Sequence, residues 1–274
     1  MYQIQNRPDT ISLLSTLEGI LREHAGPVDQ YLRQMDEEVV TNPFIDPAAT
    51  AYVRIATSMP DQTLIDRLGT CQIIGFMDWA AMHDGTGVWD GLYTDVIKPL
   101  KKRDFHFVFH LGDVANKMVY DIDEVLDIIG DYSAYGKVTL ILDNDEAGVL
   151  WNKLNGPNPD TANAAYGSPK ASEKYRFLFN TMTIDSLVIL HGYSAVQLSR
   201  EGKLALPGMP PPGNAVTNDR IRFCAGYAMG LLLQLGPWQC MALGLALAGA
   251  HAESPTGLDA SQLITHIHDW ISIL

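Results

Sequence analysis

Four polar side chains follow apolar runs that have the length of buried strands. "CQIIGFMD" ends at Asp78 and "FHFVFHLGD" ends at Asp113, and two later runs end at Asn144 and His191. In α/β folds, the carboxyl ends of parallel strands display the groups that bind ligands and catalyse reactions. If these strands lie parallel in one sheet, we expect the four groups to converge at one edge. Two carboxylates, an amide and an imidazole are a donor set suited to one or two divalent cations.

Each of these residues also has a structural explanation that involves no ligand. Asp78 can cap the segment after it, Asp113 and Asn144 can be turn residues, and His191 can be a core histidine with satisfied hydrogen bonds. The prediction of a site therefore depends on the same pattern occurring four times. Four apolar runs in succession end in a group that can bind a metal.

The segments between these residues alternate between strand and helix patterns from Cys71 onward. The apolar runs are separated by amphipathic segments such as "WDGLYTDVIKPLKKR" and "YDIDEVLDIIGDY", and this alternation is typical of an α/β fold. We therefore predict a layered α/β sandwich over residues 70–274. Before it, residues 1–69 offer a helix cap at Asp9 or Thr10 and then repeat apolar positions such as Leu14 and Leu17 at helical spacing, which predicts a helical extension.

Composition and charge restrict the function classes. The chain has 274 residues, 47% of them hydrophobic and 19% charged, which is typical of a folded protein. Its formal net charge of −13 argues against nucleic acid as a partner, because affinity for phosphates comes from clustered Lys and Arg. The three cysteines form no CxxC pair, and the N-terminus lacks the basic and apolar segments of a signal peptide. We expect a cytoplasmic protein.

One apolar stretch is long enough to suggest a membrane segment. Residues 223–252 contain no Asp, Glu, Lys or Arg, and a stretch of this length can span a bilayer. However, Gln234, Gly236, Pro237 and Gln239 cluster near its middle, where a spanning helix least tolerates broken hydrogen bonding. We therefore predict two shorter buried elements joined by a turn at "QLGPWQ", with a membrane segment as the alternative.

The strand-end residues give the chain a resemblance to the calcineurin-like metallophosphoesterases. That family runs D-x-H, G-D-x-x-D/N, G-N-H-D/E, H-G and G-H-x-H, and this sequence has "MDWA", "GDVAN", "DNDE", "HGY" and "AGAH". The resemblance covers residues 71–195, with a weaker match as far as 251. It implies a sandwich of metallophosphoesterase type and a hydrolase that cleaves a phosphomonoester or phosphodiester on a small molecule or protein.

The resemblance also implies a set of metal ligands. Asp113 would bridge two metals, Asp78 would hold the first, and Asn144 and His191 would hold the second. His251 would match the second histidine of the last motif. The implied cofactor is a divalent metal (manganese, magnesium, iron or zinc), in two sites, in one or in none.

Several positions depart from the family's motifs. Ala80 and Gly249 stand where the family has histidines, and His83 and Asn116 are the substitute ligands nearby. Asp145 occupies the position of the catalytic histidine, although a carboxylate does not supply an imidazolium acid. These departures leave open whether the protein is catalytically active. The alternative is a degenerate phosphoesterase-like scaffold that acts in binding or assembly, with residues 1–69 or 223–250 contacting a protein partner.

A second resemblance uses some of the same residues. "VTLILDNDEAGVLWNKL" is similar to the second motif of the topoisomerase–primase (TOPRIM) domain. By that resemblance, Asp143 and Asp145 would coordinate magnesium for phosphodiester chemistry on nucleic acid. That family also needs a glutamate at an earlier strand end, where this chain has only Asp78. The acidic charge balance further disfavours a nucleic-acid partner.

Overall fold

One sheet with parallel central strands organises the molecule. The computed structural model describes residues 9–37, 39–41, 51–55, 62–156, 170–209, 219–253 and 257–274. Its eight strands lie side by side in chain order. Pairing is parallel from the second strand to the sixth and antiparallel elsewhere. The strands are Val39–Thr41 (β1), Ala51–Ile55 (β2), Ile73–Phe76 (β3), Phe105–His110 (β4), Gly136–Asp143 (β5), Ser186–His191 (β6), Ser194–Ser199 (β7) and Gly202–Pro207 (β8).

Helices cover both faces of this sheet. The described helices are Thr10–Glu23 (α1), Ala25–Gln34 (α2), Gln62–Leu68 (α3), Gly85–Leu92 (α4), Lys98–Leu100 (α5), Val119–Tyr132 (α6), Asn144–Asn155 (α7), Ala171–Thr181 (α8), Arg220–Leu232 (α9), Pro237–Glu253 (α10) and Ala260–Ser272 (α11). Helices α3, α4, α6, α7 and α8 pack on one face, and α1, α2, α9, α10 and α11 pack on the other. The molecule therefore has three layers.

Strand β4 shows why its sequence requires two covered faces. Phe105, Phe107 and Phe109 point toward α4 and α6, and Val108 points toward α9. Alternate side chains of a strand point to opposite faces, so a strand that is apolar on both sides must be buried on both. The predicted α/β layered core is confirmed.

The predicted helical extension is wrong for two segments. Helix α1 begins as expected, with Asp9 accepting a hydrogen bond from the backbone N–H of Ser12 at 3.2 Å. Residues 39–41 and 51–55, however, form β1 and β2. Strand β2 lies within "PAATAYVRIATSM", where a helix was predicted. Pairing of β2 with β3 and burial of Val53 outweigh the local helix propensity, because strand formation depends on packing against neighbours.

The uncharged stretch 223–252 forms the helix pair α9 and α10, as predicted. Helix α9 ends at Leu232 and α10 begins at Pro237. Among the described residues, no helix has both the length and the apolar character needed to cross a membrane. Partner contact through residues 223–250 stays a prediction, and the burial of most of their side chains counts against it.

Two glycines allow α9 and α10 to approach closely. A Cβ atom at Gly226 would lie 2.6 Å from the carbonyl oxygen of Leu243, and one at Gly244 would lie 2.8 Å from Cδ2 of Phe223. Real Cβ atoms do not tolerate such distances, so each helix provides a glycine at the point where the other crosses it.

A partly buried histidine at the start of β4 predicts acid sensitivity. Burial, with a smaller contribution from the charge of Lys137, lowers the pKa of His106 from 6.5 to about 4. Between these values the unfolded chain binds a proton that the folded chain does not. The contribution of His106 to the free energy of unfolding should therefore be constant above about pH 6.5 and fall by roughly 2–3 kcal/mol as the pH drops to about 4.5. Urea denaturation across this range measures the change.

The variant His106→Gln should lose most of this pH dependence. Replacement of the exposed His83 by glutamine is the matched control and should retain it. Equal pH slopes in the wild type and His106→Gln would contradict the assignment.

Candidate functional site

The four strand-end residues lie along one edge of the sheet. Asp78 follows β3, Asp113 follows β4, Asn144 follows β5 and His191 ends β6. These strands are parallel neighbours, so all four residues lie at the carboxyl edge, as the sequence indicated. Asp113 and Asn144 follow adjacent strands, as predicted. The binding of one ligand by all four side chains stays a prediction.

Three of these residues make local contacts of their own. Oδ1 of Asp113 accepts a hydrogen bond from the backbone N–H of Ala115 at 3.0 Å, which is the Asx-turn explanation. The hydroxyl of Tyr175 donates to Oδ1 of Asn144 at 2.6 Å. His191 is exposed, and its carbonyl accepts from Oγ of Ser194 at 2.9 Å across the β6–β7 hairpin.

The remaining predicted site residues are dispersed. Asp145, His83 and Asn116 are exposed. His251, near the end of α10, has its Nδ1 atom 3.0 Å from Oδ2 of Asp219. Within the described ranges, no group of three or more His, Cys, Asp or Glu side chains is arranged to hold a metal ion. The ligand roles inferred from the sequence stay predictions.

A network of five charged side chains, which the sequence did not predict, occupies the carboxyl edge. Arg220, the first residue of α9, places Nη1 2.6 Å from Oδ2 of Asp143 and 2.7 Å from Oε1 of Glu146. His110, the last residue of β4, continues the network to Asp78. Its Nδ1 lies 3.3 Å from Oδ1 of Asp78, and its Nε2 lies 3.4 Å from Oε1 of Glu146.

His110 carries a positive charge inside this network. Its side chain is only 1% exposed, and burial alone lowers the pKa of an imidazole. The nearby carboxylates of Asp78 and Glu146, at ion-pair distance from its two ring nitrogens, outweigh this effect and raise the pKa of His110 to about 9. The contact with His110 in turn lowers the pKa of Asp78. With three carboxylates and two cations, the network therefore carries one net negative charge.

Asp143 and Glu146 also start helix α7. Oδ1 of Asp143 accepts from the backbone N–H of Glu146 at 2.7 Å, and Oε2 of Glu146 accepts from the backbone N–H of Asp143 at 2.8 Å. This reciprocal pair is a capping box. The spacing of "DNDE" was a visible signal for it, whereas the resemblance to the TOPRIM domain implied a magnesium site at Asp143. The structure instead binds Asp143 to Arg220.

The N-terminus of α9 is the second feature of this edge. Asp219 caps it, with Oδ1 accepting from the backbone N–H of Arg222 at 3.0 Å. The Asp219 side chain is 31% exposed and lines a small cleft with Tyr193 and Phe223. The free N–H groups and the dipole at a helix N-terminus favour anions, including phosphate. The edge therefore combines a partly exposed carboxylate with a helix N-terminus.

The comparisons with known proteins identify a fold but no family. No family model and no curated protein matches the sequence. Among solved structures, the adenosine kinase of Sinorhizobium meliloti matches at TM-score 0.50 and 14% identity, over 75% of this chain and 56% of the kinase. The Anopheles gambiae adenosine kinase matches at 0.51 and 14%, over 72% and 54%. The Thermotoga maritima ribokinase matches at 0.50 and 10%, over 76% and 59%.

These matches correct the expectations drawn from motifs. The resemblances to metallophosphoesterases and to TOPRIM domains were wrong, and so were the hydrolase and phosphatase functions inferred from them. Acidic residues at the ends of neighbouring parallel strands do not distinguish these families, because every parallel sheet brings its carboxyl ends to one edge. The chain has the fold of the adenosine kinases and the ribokinase, and it spans between 54% and 59% of their length.

Proposed function

We propose that this protein transfers a phosphoryl group to a hydroxyl group of a small sugar or nucleoside. The fold supports this proposal, since the matched structures are adenosine kinases and a ribokinase. The observation that carries it is the position of Asp219 at the N-terminus of α9, on the carboxyl edge of the sheet. A phosphorylated small molecule, expected from the sequence as a substrate, is then the product.

Asp219 is the carboxylate best placed to act as the general base. Asp143 and Glu146 are buried and bound to Arg220, and Asp78 is bound to His110. Asp219 is partly exposed, and its contact with His251 fixes the orientation of its carboxylate. The hydroxyl oxygen of the acceptor attacks the phosphorus, and its proton passes to Asp219. The bond from phosphorus to the donor's bridging oxygen breaks, and the N–H groups of α9 stabilise the phosphate oxygens.

The phosphate donor in this proposal is an adenine nucleotide with a bound divalent cation. The Anopheles enzyme was solved with P1,P4-di(adenosine-5) tetraphosphate, which supports this choice. Magnesium is usually held by one or two carboxylates together with substrate phosphates. The lack of a three-residue metal cluster among the described residues fits such a cation. The exposed Asp113 and Asp145 would hold the divalent cation, and the cation would neutralise phosphate charge.

An assay of phosphoryl transfer tests the proposal directly. The purified chain is incubated with ATP, magnesium and a panel of ribose, hexoses and nucleosides, and ADP and phosphorylated acceptor are measured by phosphorus NMR. We expect ADP to form only when an acceptor is present. ADP release that is independent of every acceptor would contradict transfer.

A second candidate function is binding without catalysis. The chain spans little more than half the length of the matched kinases, so the fold match does not extend to the rest of those proteins. In that case an acceptor or nucleotide would raise the melting temperature of the protein without any turnover in the same assay.

A further inference from the structure

A cleft of about 340 Å³ lies at the opposite, amino edge of the sheet. Its floor is formed by His106 of β4, Ser186 of β6 and Gln197 of β7, and its walls include Leu231 of α9 and Pro237 of α10. Helix α9 separates this cleft from the proposed phosphoryl-transfer site. One end of the helix is capped by Asp219, and the residues near its other end line the cleft.

The floor of the cleft interrupts an otherwise apolar face of the sheet. Farther along the same strands, this face presents Val108, Val188 and Ala195 to the core. Polar side chains that are removed from water cost free energy unless each finds a hydrogen-bond partner. His106 has such a partner, since its Nε2 atom lies 3.0 Å from Oγ1 of Thr139. The other polar side chains of the floor, Ser186 and Gln197, therefore also need hydrogen-bond partners.

Gln197 is the floor residue whose side chain lacks one of its hydrogen-bond partners. Its side chain is buried, at 4% exposure, and its Nε2 donates to Oγ of Ser186 at 3.0 Å. Its Oε1 atom is also buried and has no hydrogen-bond partner within the part of the chain that the structure describes. An unpaired buried amide oxygen is destabilising, so a donor from a bound molecule would remove a penalty that the free protein carries.

We propose that this cleft binds a small heteroaromatic ring that carries an N–H donor, of the size and chemistry of a nucleobase. The ring's N–H group donates to Oε1 of Gln197. Its faces pack against the apolar wall that Leu231, Leu235 and Pro237 provide. The cleft volume lies at the low end of the range for small-molecule sites, which suits a base better than a nucleotide. The proposal does not depend on the function assigned to the carboxyl edge.

Direct binding to adenine, cytosine and uracil tests this inference. The probes are titrated one at a time into the full chain, and binding is followed by ligand-observed NMR and calorimetry. We expect at least one base to bind, and we expect toluene, which has similar size but no N–H group, to bind at least about tenfold more weakly. Equal binding of toluene, or no binding of any base, would overturn the proposal.

The variant Gln197→Met identifies the group responsible. It keeps the length of the side chain but removes the unpaired oxygen, so we expect it to fold and to lose base binding by about tenfold or more, equivalent to about 1.4 kcal/mol. Gln30→Met, on the exposed surface of α2, is the matched control and should bind normally. Unchanged affinity in Gln197→Met would show that Oε1 of Gln197 takes no part in binding and that the proposal is wrong.

A second variant keeps the test decisive if Gln197→Met does not fold. Leu231→Trp narrows the cleft from the side of α9 and leaves the amide untouched. Loss of base binding in this variant supports the cleft as the site, and full retention places the bound base elsewhere and overturns the inference.

Discussion

Replacing Asp219 by asparagine is expected to lower the turnover rate of phosphoryl transfer by about 10²- to 10⁴-fold, which is the usual contribution of a general base. The amide oxygen of asparagine can still accept the hydrogen bond from the backbone N–H of Arg222, and asparagine caps helices as well as aspartate does. The variant should therefore keep its fold and its melting temperature. Steady-state kinetics with the best acceptor of the panel, together with thermal unfolding, measures both properties.

Asp259 provides a matched control for this substitution. It caps α11 in the same way, with Oδ1 accepting from the backbone N–H of Gln262 at 2.8 Å, but it does not line the cleft that Asp219 shares with Tyr193 and Phe223. Asp259→Asn should leave turnover unchanged. If Asp219→Asn retained wild-type turnover, the proton would be removed by another group and the assignment of Asp219 would be wrong. A rise in the Michaelis constant alone would assign Asp219 to binding.

Replacing Arg220 by methionine is expected to reduce the free energy of unfolding by about 3–5 kcal/mol. Removing one partner of a buried ion pair costs this much because the remaining charge is left in a poorly solvated position. Here two carboxylates, on Asp143 and Glu146, lose the same cation, and their side chains are only 6% and 5% exposed. Of the close partners that the structure describes, His110 alone would still neutralise Glu146. Urea denaturation at neutral pH measures the loss.

The neighbouring Arg222 is the control for this prediction. It pairs with Asp36 at 2.7 Å, but the Asp36 side chain is 66% exposed, so Arg222→Met should cost no more than about 1 kcal/mol. Adding Asp143→Asn to Arg220→Met should recover part of the lost stability, because it removes the buried charge that has lost its cation, and asparagine caps helices as well as aspartate does. Equal losses in the two arginine variants, or no recovery in the double variant, would show that burial of charge does not explain the effect.

Local sequence patterns predicted the parts of the fold that depend on local physics. The apolar run before Asp113 indicated β4, and Asp9 before a helical repeat indicated α1, because hydrophobic period and helix capping are properties of short segments. The strand ends also located Asp78 and Asn144 at one edge of a sheet. Strand β2 was missed because its stability comes from pairing with β3.

The chemistry of the edge could not be read from the sequence in the same way. Arg220 and Asp143 are 77 positions apart, and only the packing of α9 on the sheet brings them together. His110 looked like an interior residue of an apolar strand, and its charge depends on two carboxylates from other segments. Asp219 follows a Pro/Gly-rich stretch of sequence and carries no motif of its own. Residues whose roles arise from long-range contacts leave no local periodicity to detect.

The glycine contacts between α9 and α10 bear on how relatives of this chain should have diverged. A surface carboxylate can be exchanged gradually, through intermediates that fold. A side chain at Gly226 or Gly244 would collide with the backbone or a buried ring of the partner helix, so natural selection should remove such changes at once. In distant homologues we therefore expect small residues at these two positions to be more strongly conserved than the acidic residues at the strand ends. Their spacing would then reveal common ancestry where overall identity has decayed.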